Sequence, residues 1–149
     1  MSAESFNITS AKIVTLLITG TMSGQYQWSE VIDDNHIKVC REEISESSRI
    51  EGKIFSVKVR DSFLRLFKYR NYARLMTAGG NALTTNDGAS LLVRTGDSIY
   101  VLEFFDSSDY SLQLRLEQSN SIKDLYDTVI KKVFPVEDFL KDLEEDKQS

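Results

Sequence analysis

The stretch that decides the fold is residues 90–134, SLLVRTGDSIYVLEFFDSSDYSLQLRLEQSNSIKDLYDTVIKKVF. Apolar and polar residues alternate from Tyr110 to Glu117, which is the two-residue period of a strand with one buried and one wet face. The run from Ser98 to Phe105 is apolar on both faces, so it predicts an interior strand covered on two sides. We expect Leu91–Val93 to pair with that run through a tight type II′ turn at Gly96-Asp97.

A helix is predicted directly after the third of these strands. Asn120 or Ser121 suits the N-cap, and Asp124 approximates a capping box with Ser121. Pro135 ends the helix because the residue before a proline is pushed out of the α region. Apolar residues recur between these signals at helical spacing: Ile122, Leu125, Tyr126, Val129, Ile130 and Val133. A half-apolar sheet and a helix with one apolar stripe can bury each other, so we predict an α+β fold, a curved and mainly antiparallel sheet packed by a C-terminal helix.

Earlier in the chain, residues 8–19 leave strand and helix open. Their β-branched residues favour a strand, which we prefer, whereas Thr9 as an N-cap and Gly20 as a stop would suit a short helix. Residues 1–7 are expected to be a loose start. A hairpin is predicted over residues 25–41, with its turn at Asp33-Asp34-Asn35.

Residues 63–76 are open in the same way. Arg60-Asp61-Ser62 predicts a hairpin turn that leads into a strand, but the aromatic spacing also fits a helix that ends at Gly79-Gly80. We prefer a strand over Phe63–Tyr69, followed by irregular or helical structure.

Length and composition predict a single domain over residues 1–149. The longest apolar run near the start, Ile13–Ile18, is too short to span a bilayer, and no signal-peptide pattern is present. Cys40 is the only cysteine, which fits a reducing compartment. We therefore expect an intracellular protein, cytoplasmic or nuclear, that does not span the membrane.

The formal charge of −5 hides a strong segregation. Residues 53–74 hold seven basic residues and one acid, so this segment carries +6 and the other 127 residues carry −11. On a strand, Arg65 would share a face with Phe63 and Phe67, whereas Lys68 would lie on the other face. The basic patch could bind phosphate or nucleic acid, or it could be a solvated rim that pairs with the acidic remainder. Its candidate residues are Lys58, Arg60, Arg65, Lys68, Arg70 and Arg74.

Acidic residues are concentrated in two places. A candidate acidic patch consists of Glu42, Glu43 and Glu46. Residues 136–149 form an acidic C-terminal tail, in which apolar residues could dock one face of a last helical turn or two: Phe139, Leu140 and Leu143.

The sequence carries no catalytic or metal-binding signature. His36 is the only histidine, which removes most general-base, triad and metal-cluster arrangements. The spacing from Gly20 to Gly24 lacks the lysine of a phosphate-binding loop. Asp106 and Asp109 fall in a turn, where aspartate is an ordinary turn former. We therefore predict no enzyme activity, no metal and no cofactor.

The order of elements resembles pleckstrin-homology-type domains. The resemblance rests on the hairpin Lys58–Tyr69, the strand at Tyr100–Leu102 and a single helix near the C-terminus, and it covers about residues 53–134. It implies a bent sheet, or partly open barrel, closed at one end by that helix. It also implies binding of phosphoinositides, peptides or partner proteins. Typical members carry a tryptophan in the C-terminal helix, whereas the only tryptophan here is Trp28.

These observations predict a noncatalytic protein–protein interaction module, in which charged patches steer association and a few aromatic residues supply affinity. One alternative is an acidic inhibitor, such as an immunity protein, that neutralises a basic toxin nuclease with carboxylates like those of Glu42, Glu43 and Glu46. The other is binding of a phosphoinositide headgroup or nucleic acid through residues 53–74. The expected partner is another protein, with nucleic acid and phospholipid headgroups as the further candidates.

Overall fold

The structure is a computed structural model that describes residues 3–32, 48–88, 91–117 and 120–148. Within these ranges there are five strands, which form one open antiparallel sheet, and three helices. The predicted α+β class is therefore confirmed. In chain order the elements are α1 (Ala3–Met22), β1 (Ser29–Glu30), β2 (Ser48–Val59), β3 (Ser62–Arg74), β4 (Leu92–Asp106), β5 (Leu112–Glu117), α2 (Asn120–Val133) and α3 (Val136–Gln148).

The sheet is a meander, because each strand pairs with the next strand along the chain. β2 and β3 form the hairpin predicted at residues 60–62, and Arg60 takes a positive φ of 55° in its turn. β3 runs on to Arg74, well past the expected end at Tyr69, so the helical alternative for residues 63–76 is wrong. The second half of the predicted hairpin over residues 25–41 lies outside the described residues.

The predicted hairpin turn at Gly96-Asp97 is also wrong, since residues 92–106 form one strand. Ile99 stands opposite Tyr69 and Thr95 stands opposite Asn71, so β4 advances four residues while β3 advances two. The additional residues form a bulge, and Gly96 supplies its positive φ of 75°. The glycine therefore marks a bulge inside a long strand rather than the end of a short one.

Helix α1 replaces both the strand preferred for residues 8–19 and the loose start expected before it. The helix buries Val14, Leu17 and Thr21, which lie along one side at spacings of three and four, and it packs against α2. The Thr21 hydroxyl donates to the Leu17 carbonyl at 2.7 Å, so this β-branched residue has its polar atom satisfied inside the helix. Tertiary packing has overridden a weak strand preference.

Apolar residues are buried on both faces of the sheet, which we call the helix face and the far face. On the helix face, Phe55, Leu66 and Leu102 pack with residues of α1 and α2, including Val14, Leu17, Ile122, Leu125, Tyr126 and Val129. The far face has a smaller cluster: Val31, Ile54, Phe67 and Val101. The middle parts of β3 and β4, residues 64–67 and 101–105, are therefore covered on two sides, as the run from Ser98 to Phe105 predicts.

Candidate functional site

In the described part of the chain, β3 and β4 extend beyond the other strands as a projection, residues 72–88 and 91–94, which we call the β-arm. Its backbone is tied together past the end of β3. The Leu75 N–H donates to the Leu91 carbonyl at 2.9 Å, and the Leu83 N–H donates to the Leu75 carbonyl at 2.8 Å. The Leu91 N–H donates in turn to the Leu83 carbonyl at 2.8 Å. The β-arm is thus a hydrogen-bonded structure and not a loose loop.

The β-arm exposes a group of large apolar side chains. Their exposed fractions run from 37% for Leu91 to 54% for Met76. By strand alternation, Leu92 and Met76 lie on the helix-face side of the β-arm, and Leu75 and Val93 lie on its other side. Large apolar side chains left exposed on one structural unit are typical of an interaction site. The six residues are Leu75, Met76, Leu83, Leu91, Leu92 and Val93.

One side of the β-arm combines apolar and basic side chains. Tyr72 stands opposite Arg94, and Arg74 stands opposite Leu92. Directly opposed residues of an antiparallel pair share a face, and so do residues two apart on one strand. These four residues, which we call the arm quartet, therefore form a checkerboard on the helix-face side of the β-arm.

Most residues of the predicted basic patch lie in two groups, one at each end of the β2–β3 hairpin. Lys58 and Arg60 are exposed beside the turn. Lys68, Arg70 and Arg74 lie on the helix face toward the β-arm, in phase with the core leucines of β3. The two groups lie along a strand of 13 residues, roughly 40 Å at a rise of about 3.3 Å per residue. They cannot form one compact patch.

Arg65, the remaining member of the predicted patch, is only 1% exposed. It lies on the far face, apart from Lys68, as the alternation of a strand predicts. Its Nη2 is 2.8 Å from Glu103 Oε1, and its Nε donates to the same oxygen at 2.9 Å. The guanidinium also lies 4.4 Å from the ring centroid of Phe105. Arg65 is thus enclosed by its own chain and does not face a ligand.

The ion pair continues across the far face to the edge strand. Arg115 Nη1 donates to the second oxygen of Glu103 at 3.2 Å, and Arg115 Nε contacts Glu117 at 2.5 Å. The Tyr69 hydroxyl donates to Glu117 Oε2 at 3.3 Å. Burial and the Glu117 carboxylate raise the pKa of Tyr69. The alternating charges tie β3, β4 and β5 together.

A cleft of about 710 Å³ opens where the β4 bulge meets the N-terminus of α2. Arg70 crosses it, donating from Nη2 to the Ser98 hydroxyl at 3.1 Å, while its Nε lies 2.7 Å from Glu51 Oε1. Lys123 and the start of α2 add positive potential, and Asp97 opposes it. The cleft has mixed charge, with Arg70 already engaged by Glu51.

Lys68 is directed toward two tyrosines below the cleft. Its ammonium is 5.3 Å from the ring centroid of Tyr126 and 5.8 Å from that of Tyr100. The Tyr126 hydroxyl donates to the Lys53 carbonyl at 3.2 Å, and burial raises the pKa of Tyr126 to about 12. Burial, with the carboxylates of Asp127 and Glu51, also raises the pKa of Tyr100. The Lys68 ammonium thus contacts aromatic rings of its own chain.

The acidic C-terminal tail forms a full helix, α3, and not merely the last turn or two that the sequence suggested. Its apolar residues Phe139, Leu140 and Leu143 are 64%, 55% and 50% exposed. Acidic residues lie around them on the same helix: Asp142, Glu144, Glu145 and Asp146. α3 is therefore an amphipathic helix whose apolar side is not packed in a core.

Several candidate residues lie outside the described part of the chain: Glu42, Glu43, Glu46, His36 and Cys40. Among the described residues, no group of three His, Cys, Asp or Glu side chains is placed to hold a metal ion. The helices of those same residues include none with the length and apolar character needed to cross a membrane.

The sequence interpretation missed the β-arm. The available signal was the set of leucines between Arg74 and Val93, which follow neither a helical nor a strand period and stand among turn-forming residues. These leucines could be predicted to be exposed only with the knowledge that the strands before and after them, β3 and β4, pair with each other.

Comparison with protein-family models, with curated proteins and with solved structures found no match to this chain. The resemblance to pleckstrin-homology-type domains therefore stays a prediction.

Proposed function

We propose that this chain is a noncatalytic protein-interaction module whose binding surface is the β-arm. One observation carries the proposal: six large apolar side chains, each more than a third exposed, belong to one projection from the sheet. Burying a leucine-sized side chain contributes about 1.5–3 kcal/mol relative to leaving it in water. Because the six side chains are 37–54% exposed, a partner that covered all of them would gain this stabilisation roughly two to three times over.

The residue types on the β-arm suit such a role. Tyrosine and arginine are enriched among residues that dominate binding energy, and the arm quartet supplies Tyr72, Arg74 and Arg94. The two arginines are exposed, so they would attract an acidic partner and fix its orientation. The hydrogen-bonded backbone of the β-arm lowers the entropy lost on binding.

The cleft favours this proposal over an enzyme. Of the described residues that line it, none is a cysteine or a histidine. Arg70 is held by Ser98 and Glu51, which limits its freedom to serve a reaction.

The test compares two double variants of equal chemistry. Met76→Asp with Leu92→Asp places two charges on the β-arm, while Leu16→Asp with Met22→Asp does the same on the exposed side of α1, where the side chains are 59% and 61% exposed. The purified original chain is used as bait in a lysate of the source cells, and each captured protein is identified and purified. The Kd of that protein is then measured for the original chain and for both variants. We expect the arm variant to bind about tenfold or more weakly and the α1 variant to bind as the original does. Equal affinity for all three proteins would contradict the proposal.

Recognition of a phosphate group is a second candidate, because Arg70 and Lys123 converge on the cleft at the start of α2. Its test titrates an inositol phosphate and a short single-stranded oligonucleotide into Arg70→Gln with Lys123→Gln. The matched control is Lys58→Gln with Arg60→Gln, which removes the same charge at the far end of β3. Loss of binding only in the cleft variant supports this candidate, whereas equal effects in both variants exclude the cleft.

The acidic-inhibitor hypothesis stays a prediction, which mixing with basic nucleases at low salt would test.

A further inference from the structure

α3 has the chemistry expected of a ligand for the β-arm. At 100° per residue, Phe139, Leu140 and Leu143 fall within one arc of about 100°. Asp142 lies next to one edge of that arc and Glu144 lies next to the other. The helix as a whole, residues 136–148, has six acidic residues and two lysines. It therefore presents an apolar stripe between two acidic borders.

The arm quartet presents the complementary pattern. Tyr72 and Leu92 are its apolar members, and Arg74 and Arg94 occupy the alternate positions. Met76 continues the same side of β3 one step beyond Arg74 and is 54% exposed. An apolar stripe with acidic borders can therefore contact apolar and basic side chains at the same time.

The repeat lengths of the two surfaces also match. Phe139 and Leu143 are separated by a helical rise of about 6 Å, while Tyr72, Arg74 and Met76 recur at about 6.6 Å along their strand. The 13 residues of α3 span about 20 Å, close to the roughly 17 Å from Tyr72 to the turn at Thr77. The helix can lie along the arm in register.

The two surfaces are not joined within one copy. Phe134, just before α3, has its ring 6.3 Å from that of Phe55, which stands opposite Leu66. Leu66 is eight residues from Arg74 along β3, a distance of about 26 Å. The apolar side chains of α3 and of the β-arm are both exposed, so neither covers the other.

We infer that a second copy of this chain occupies the β-arm and that α3 of that copy is the docking segment, an inference that rests on the proposed function. Each copy has one β-arm and one α3, so two copies can exchange helices around a two-fold axis. Both surfaces of both copies are then satisfied, which gives a closed dimer. Arg74 and Arg94 face the acidic borders of α3 in this arrangement.

Charge exchange tests the contact directly. The arm variant carries Arg74→Glu and Arg94→Glu, the helix variant carries Asp142→Lys and Glu144→Lys, and a third protein carries all four changes. Lys58→Glu with Arg60→Glu is the control, because it makes the same charge change at the opposite end of β3. All these positions are exposed, and circular dichroism checks that each variant is folded. Sedimentation velocity, from about 1 µM to about 100 µM, gives the dimer dissociation constant of each protein.

We expect the original chain and the control to form dimers of equal affinity. The arm and helix variants should each dissociate about tenfold or more readily, because like charges then oppose each other across both contacts. The protein with all four changes should recover most of the lost affinity, since its charges are again opposite. An arm-to-arm or helix-to-helix dimer would show no such recovery, and that outcome overturns the inference.

A chain that stays monomeric across the whole concentration range also overturns the inference. The proposed function is judged separately, by the arm-dependent capture of another protein. A monomer that binds another protein through the β-arm would refute the second copy as partner and leave the interaction module standing. A monomer whose β-arm binds nothing would refute both.

Discussion

Arg65 and Glu103 form an ion pair in which both side chains are almost fully enclosed, with 2% and 0% of their surfaces exposed. The residues stand directly opposite each other on β3 and β4, and the shortest distance between charged atoms is 2.8 Å. Such a pair is stable only because the attraction between the two charges offsets the hydration that each side chain loses on burial. Removing Glu103 leaves the Arg65 charge buried, and removing Arg65 leaves the buried Glu103 with Arg115 as its remaining cation.

We predict that Arg65→Met lowers the free energy of unfolding by about 3 kcal/mol, the lower end of the range for a broken buried pair, because Arg115 still contacts Glu103. The double variant Arg65→Met with Glu103→Leu should lose much less than the two single variants together, because no charge is then left without its partner at this position. Urea denaturation of the four proteins gives the double-mutant cycle. Lys58→Met is the control at an exposed site on the same hairpin, with an expected change within about 0.5 kcal/mol. An Arg65→Met protein as stable as this control would show that the pair contributes nothing.

The sequence alone could not identify this role of Arg65. Its strand alternation correctly separates Arg65 from Lys68, but the covering of the far face depends on distant residues. Glu103 is 38 positions away, and in the sequence it is one polar residue within an apolar run. Local charge composition therefore suggested a binding patch where the fold has a buried pair.

Gly52 and Gly96 both sit at bulges and both have positive φ, 66° and 75°. A methyl group at Gly96 would meet open space, whereas one at Gly52 would lie 3.0 Å from the Tyr126 hydroxyl. We predict that Gly96→Ala costs about 1–2 kcal/mol for the backbone alone. Gly52→Ala should cost more, because Tyr126 must also move away from the Lys53 carbonyl. Thermal or urea unfolding measures both.

The same pair of variants has an internal control. In a Tyr126→Phe background the crowding hydroxyl is absent, so the costs of Gly52→Ala and Gly96→Ala should become similar. If the difference between them persists in that background, the contact with Tyr126 is not its cause.

The helix stripe of α2 could be predicted because that helix records its own buried face in its sequence. The alternation of Tyr110–Glu117 correctly predicts a strand, but the strand begins at Leu112, and Tyr110 and Leu112 are 57% and 46% exposed while Leu116 is buried. The continuity of β4 through Gly96 could not be predicted, since a glycine with positive φ serves a bulge and a tight turn equally well. α1 could not be predicted for a different reason. Its β-branched residues are held in a helix by packing against α2, an element about a hundred residues away in the sequence.

Trp28 is fixed by one hydrogen bond to α1. Its indole Nε1 donates to the Thr21 hydroxyl at 2.9 Å, and Trp28 is 7% exposed. Thr21→Val keeps the shape of the side chain but leaves the buried indole N–H without this acceptor, so we predict a loss of about 1–3 kcal/mol in unfolding free energy. Thr19→Val is the matched control, because the exposed Thr19 hydroxyl donates to the Thr15 carbonyl within α1. Trp28 is the only tryptophan, so its fluorescence follows unfolding in both variants. Equal stability of the two variants would refute the role of Thr21.

Tyr126 should make the protein sensitive to alkaline pH. Tyr126 is 1% exposed, and burial raises its pKa to about 12, whereas tyrosine in an unfolded chain has a pKa of about 10. Below about pH 10 both states keep the proton, so the residue contributes no pH dependence. Between about pH 10 and 12 the unfolded state releases a proton that the folded state retains. The free energy of unfolding therefore falls as pH rises, by at most about 1.4 kcal/mol per pH unit from this residue.

Tyr126→Phe separates this contribution from the others. The variant should be less stable than the original at neutral pH because it loses the hydrogen bond to Lys53, yet its stability should fall less steeply above about pH 10. Some slope should remain, since burial also raises the pKa values of Tyr69 and Tyr100. Urea denaturation at successive pH values measures both slopes. Equal slopes would show that Tyr126 ionises in the folded protein as readily as in the unfolded chain, and burial at the α2–sheet contact would then not govern its proton.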